Sequence, residues 1–239
     1  MCIISKLFKK TSPPNTLKDI SSSNKMNRTQ LYAEEEQLCK AFPTELREDV
    51  HAVFNLLNNN TIYNGRKLNG ILGHYNEFVL NNELVQLPER IYYNELNDDI
   101  IATLTETQKT VLYCIFTRSY NGYLREKYVR LLLKTDYPQW AIPFIVKLCD
   151  DYVLEILTAI YELLKNKDTA VIKRFCLANK KAVRINYDRM LNYWYEYDKW
   201  TFPDFYEYVG RKLFRECLGY SRKLRKRKLY IKAYGQKSN

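Results

Sequence analysis

Side chains able to do chemistry fall into a few groups in this sequence, and each asks for a different partner. Near the C-terminus stands the run Arg222, Lys223, Arg225, Lys226, Arg227 and Lys228. Clustered cations neutralise phosphates and release counterions, so the run suits nucleic acid or anionic lipid. A solvated basic tail, with cations favoured at a helix C-terminus, is the plainer account. A second group is the aromatic stretch from Tyr187 to Tyr206, in a chain of 21 tyrosines. Aromatic residues are frequent anchors of partner binding, which makes Trp194, Tyr197 and Trp200 candidates. The same residues could equally form the core and rim of packed helices. Trp194 and Asp198 make a third group, four residues apart and so on one face of a helix. An indole face attracts a cation, and a carboxylate stabilises one.

Conventional catalytic sets are not found. His51 and His74 have no metal-ligand spacing, and no two of the six cysteines lie within four residues of each other. Gly65, Gly70 and Gly73 match no phosphate-binding loop. The adjacent acids Asp98-Asp99 and Asp150-Asp151 diverge in direction and read as turn and cap residues. No catalytic residue, metal site or cofactor is assigned.

The elements that must position these groups are helical. The 239 residues carry 46% hydrophobic residues but only 7 Gly and 7 Pro, against a turn-rich all-β fold and against disorder. The net charge of +11 divides as +5 over residues 1–30, −2 over 31–221 and +8 over 222–239, so the body is nearly neutral. No apolar run reaches the roughly 18 residues of a membrane helix, and Met1–Ile4 is too short for a signal peptide core. A reducing cytoplasm, with the cysteines as buried thiols, is expected.

Residues 1–29 read as a flexible basic leader and 30–80 as N-terminal helices. Pro43 should end the first helix. Thr44 should cap the second, striped by Leu46, Val50, Val53, Phe54 and Leu57. A third is expected over Arg66 to Leu80, on Leu68, Ile71, Leu72, Tyr75 and Val79. Residues 81–103 lack a helical period and read as an irregular connector with room for a short strand pair. Over 104–221 the helical stripes return, with Thr105 as a cap and helix pairs beginning near 106, 138 and 168. Residues 222–239 form the basic tail.

Within 105–165 the sequence resembles HEAT repeats, especially the short bacterial kind. The resemblance rests on Asn121-Gly122-Tyr123-Leu124-Arg125-Glu126, on Ile142-Pro143-Phe144-Ile145-Val146-Lys147-Leu148 and on Asp151-Tyr152-Val153. It implies an all-α solenoid of antiparallel helix pairs. It also implies that Arg125 pairs with turn carbonyls or with an Asp of an adjacent repeat. The next repeat departs, with Ile156 and Leu157 in place of the Val-Arg pair. Such solenoids bind macromolecules on a concave face lined by second helices, which places Arg125, Lys127 and Arg130 on or near that row. HEAT-like alkylpurine DNA glycosylases hold a cationic base with a Trp and an Asp. Trp194 and Asp198 have a similar spacing, but the rest of that pattern is not recognised. The expectation is therefore a non-enzymatic scaffold for a protein partner. The alternative is nucleic-acid binding through the basic tails, with or without glycosylase chemistry.

Overall fold

The structure is a computed structural model that describes residues 28–60, 62–63, 66–67 and 70–222. The leader through residue 27 and the tail from residue 223 lie outside the described residues, and with them Lys223, Arg225, Lys226, Arg227 and Lys228. The fold is mostly helical, with 63% helix and 10% strand.

Helix α1 (Arg28–Cys39) is followed by Pro43, a 3-10 turn at Thr44–Leu46, and α2 (Arg47–Asn60). The predicted stripe holds: Leu46, Val50, Val53, Phe54 and Leu57 are all buried. The cap at Thr44 is corrected. No side chain caps that turn, and Thr44 instead gives its backbone N–H to Glu83 Oε2 at 3.2 Å.

The helix expected over 66–80 and the irregular connector after it are also corrected. Strand β1 (Ile62–Tyr63) pairs with β2 (Arg66–Lys67), and β3 (Ile71–Leu80) pairs antiparallel with β4 (Glu83–Ile91). Asn81 and Asn82 join β3 to β4 at φ 49° and 67°, the left-handed pair that a two-residue hairpin turn requires. Burial alternates with the pleat: Phe78, Leu80, Val85 and Leu87 face the core, while Val79 and Leu84 face solvent. Tyr75 and Val79 fit both a helical and a strand period, and the Asn-Asn turn settles the choice. Because Leu80 pairs with Glu83 beside the turn, Leu84, Gln86 and Pro88 point their backbone groups away from β3. That is where a strand tolerates proline. Gln86 N–H duly reaches out to the Lys40 carbonyl at 2.7 Å. On the far edge of β3, the Asn179 amide stands in for a neighbouring strand. It accepts from Val79 N–H at 2.7 Å and donates to the Val79 carbonyl at 2.9 Å.

The helices that follow are α3 (Asp98–Ala102), α4 (Glu106–Phe116), α5 (Gly122–Lys134), α6 (Ile142–Leu148), α7 (Leu154–Leu164), α8 (Ala170–Ala178), α9 (Lys180–Tyr193) and α10 (Val209–Glu216). Thr105 opens α4 with a complete capping box, its side chain and that of Gln108 each satisfying the other's backbone N–H. Asn121 opens α5 by accepting from Tyr123 N–H at 3.0 Å. Helix α4 packs on α5, α5 on α7, and α7 on α10, while α6 meets α8. Helix α9 lies against α8, α10 and β3. It runs directly into a π-helical turn at Trp194–Asp198, where Lys199 N–H bonds the Trp194 carbonyl at 2.8 Å. One hydrophobic core runs from Leu38 to Leu218 and takes in Cys114, Cys149, Cys176 and Cys217 as free thiols. Among the described residues no helix is long and apolar enough to cross a membrane.

Candidate functional site

The chemistry of this chain concentrates where β4, the turn after α4, the turn after α6 and helix α9 converge. Arg118 is fully buried and donates to the carbonyls of Pro88 and Glu89 at 3.1 and 2.7 Å. Arg125, also out of water, makes a two-pronged pair with Asp151, both contacts at 2.9 Å. Its remaining arm reaches the Ser119 and Tyr120 carbonyls at 3.0 and 3.1 Å. Asp151 also accepts from Val153 N–H at 3.1 Å, which shapes the turn into α7. Lys147, fully buried, donates to both oxygens of Asp150 at 2.8 and 2.6 Å. Glu89 ties strand to helices: it accepts from Arg189 at 2.7 Å and from Asn76 at 2.9 Å, with Lys147 at 3.8 Å.

Arg90 completes a set of five cations, with Arg118, Arg125, Lys147 and Arg189, around three carboxylates, Glu89, Asp150 and Asp151. This excess moves the titrations. Burial would raise Glu89, but Lys147, the Asn76 hydrogen bond, Arg118 and Arg189 together hold it down at about 2. Burial brings Arg118 down to about 10, and neighbouring Arg90 acts in the same direction. Burial also brings Lys147 down to about 8, against the pull of Asp150.

Above this cluster lies a face of tyrosines. The Arg125 guanidinium sits 5.5 Å from the centre of the Tyr152 ring. Tyr152 meets Tyr193 at 5.8 Å and Tyr197 at 6.5 Å, and those two meet each other at 6.1 Å. Tyr152 is 46% and Tyr197 64% exposed, so both rings are available at the surface. Next along the chain, Lys199 lies 3.7 Å from the Tyr195 ring centre and 5.3 Å from that of Trp200, which is 83% exposed. Such a surface offers flat apolar contact, phenol hydroxyls and cations together.

The predicted site residues are therefore divided. Tyr197 and Trp200 are surface residues. Trp194 is not: it is 5% exposed, packs 4.8 Å from Phe205 and donates its indole N–H to the Phe202 carbonyl at 2.9 Å. Asp198 accepts from the Tyr208 hydroxyl at 2.8 Å. The Trp194 and Asp198 groups thus serve separate internal partners and present no joint surface to a base. Arg125 is likewise an internal tie and not a surface contact. Lys127 pairs with Glu95 at 2.6 Å, and Arg130 with Glu126 at 2.8 Å, both on the solvent side of α5. Arg222 pairs with Asp188 at 2.7 Å and lies over Tyr187. His51 is exposed and pairs with Glu35. Sequence reasoning missed Glu89, Arg118, Tyr152 and Arg189 as site residues. Of their relations, only the four-residue spacing from Arg189 to Tyr193 and on to Tyr197 was readable.

Among the described residues no group of three His, Cys, Asp or Glu side chains converges to hold a metal ion. Comparison of the chain with protein-family models, with curated proteins and with solved structures finds no match in any of the three.

Proposed function

We propose that the protein is a binding module, built as a HEAT-like solenoid of helix pairs, that holds a protein partner on the face of Tyr152, Tyr193 and Tyr197. The observation that carries this reading is the tyrosine trio itself. Tyr152 and Tyr197 are exposed and Tyr193 is half-buried, the three rings meet one another, and the buried Arg125–Asp151 pair braces them from beneath. Rigid aromatic surface lowers the entropy cost of association, and such rings supply most hot spots. Support for the solenoid comes from the consecutive packing of α5, α7 and α10, and from the link of Arg125 to its own turn and to the next one.

The test is a photo-crosslinking amino acid placed at Tyr197 of the full chain, expressed in the source cells, with Tyr32 as an exposed control position. A discrete protein adduct from position 197, absent from position 32 and lost on Tyr152→Ala, supports the reading. Adducts that are the same at both positions, or that contain nucleic acid, overturn it.

A further inference from the structure

A groove lies between α8, the start of α9 and the segment after α10. Its volume is about 620 Å³. Four cations line it, Lys173, Arg174, Lys180 and Arg184, and no acid does. All four are exposed. The nearest carboxylate in their ion pairs is Asp188, 3.9 Å from Arg184 and already held by Arg222 at 2.7 Å. Lys173, Arg174 and Lys180 have no ion pair among the described residues. Two lysines, Lys180 and Lys181, also begin α9, where the helix dipole disfavours positive charge. An arrangement that raises the local potential without internal compensation is relieved by an anion from outside.

The backbone is shaped to the same end. Gly219 stands at φ 69°, and a Cβ there would come 3.1 Å from Lys173 Cγ. The lysine stem therefore lies along bare backbone, its apolar part covered and its ammonium left to the groove. Leu177, 63% exposed, gives the floor an apolar spot. The rim is Gly219–Ser221, and the basic run begins at the next residue, Arg222. The groove's rim and the run are thus consecutive along the chain, and residues 222–239 hold eight Lys and Arg with no acid among them.

We infer that the α8–α9 groove is a binding site for the phosphate backbone of single-stranded nucleic acid, with Lys173, Arg174, Lys180 and Arg184 as its phosphate contacts. Two acid-free basic stretches, residues 173–184 and 222–239, are matched by a ligand that carries a charge at every repeat. A nucleic-acid strand does so, whereas an acidic protein segment would have to be equally long and uninterrupted. Leu177, exposed beside the cations, offers an unpaired base an apolar surface. This site is separate in chemistry from the tyrosine face, and the two readings stand or fall independently.

The test is fluorescence anisotropy of a labelled 20-nucleotide single-stranded DNA with the full chain, over a series of salt concentrations. Each single-strand phosphate neutralised adds about 0.7 to the slope of log affinity against log salt. The combined variant Lys173→Gln, Arg174→Gln, Lys180→Gln, Arg184→Gln is expected to lower that slope by about 3 and to weaken binding at low salt at least about tenfold. The side chains are exposed, so an unchanged circular dichroism spectrum and melting temperature verify the fold. A second variant carries Gln at positions 223, 225, 226, 227 and 228, and it should keep the groove's share of the slope. Absence of binding by the unaltered chain at low salt overturns the proposal. So does binding that the groove variant leaves unchanged, which assigns the effect to the tail alone. Equal competition by polyglutamate, or tighter binding to phosphatidylglycerol vesicles than to the oligonucleotide, overturns it in favour of an acidic protein or a lipid surface.

Discussion

The two sides of the charged cluster are held in opposite ways. On the helical side, the turns after α4 and α6 are locked together by Arg125 and Asp151, both out of water and fully paired. On the hairpin side, β3 and β4 form a two-stranded ribbon whose edges are finished piecemeal, by Lys40 and Arg118 along β4 and by Asn179 on β3. Removing one partner of the first kind leaves a charge stranded in low dielectric. Removing the Lys40 or Asn179 contact of the second kind loses only a hydrogen bond or two between uncharged groups. The helical part depends on a few contacts with no substitute, and the hairpin on many modest ones.

The sharpest way to break that contrast is Arg125→Met. It should cost about 3–5 kcal/mol in urea unfolding, because buried Asp151 loses its two-pronged partner and keeps only Arg90 at 3.4 Å and the Val153 N–H. Adding Asp151→Leu to it should recover most of the loss, and a single-variant cost below about 1 kcal/mol would put the two sides on the same footing.

Next in size is the acid response of Glu89, which joins the two sides. Its carboxyl sits at about 2 in the folded chain and near the ordinary 4.5 when unfolded. Its contribution is therefore fully present above pH 4.5 and is lost as pH falls toward 2. The loss amounts to about 3 kcal/mol at most. Urea midpoints measured from pH 6 down to pH 2 should fall in that window, and Glu89→Gln should flatten the fall.

Smallest is Asn179→Ala, which removes both bonds to Val79. A loss of about 1–2 kcal/mol is expected, with faster hydrogen exchange at the Val79 amide and little change at α5 or α7. Exchange that quickens equally in all three would show that the hairpin and the helices open as one unit.

Much of the helical side was legible in the sequence. Thr105 announced its cap, and the starts expected near 106, 138 and 168 fall at Glu106, at the 3-10 turn Gln139–Ala141, and at Ala170. Only half of the hairpin was legible: residues 81–103, where β4 lies, read as having room for strand, but Ile71, Leu72, Tyr75 and Val79 satisfy a helical stripe as well as they satisfy strand positions. The deciding residues were Asn81 and Asn82, whose left-handed conformation marks a turn. Among the candidate residues, Tyr197 and Trp200 lie at the surface and Trp194 is buried, a division that an aromatic-rich segment gives no sign of. The cluster itself was hidden for a different reason. Glu89, Arg118, Asp150 and Arg189 are each ordinary in their own stretch, and only the tertiary fold brings them within contact.

The π turn at Trp194–Asp198 has a consequence for how this surface could change over descent. Such a turn holds one residue more than the α turn it replaces, and it is most simply produced by a one-residue insertion into an existing helix. One residue corresponds to about 100° of rotation about the helix axis. Deleting a single codon here would therefore re-aim Tyr197, Lys199 and Trp200 together while leaving α9 and its core contacts in place. An insertion or deletion between 194 and 198 is thus a shorter path to a re-aimed aromatic surface than any series of substitutions on the face itself.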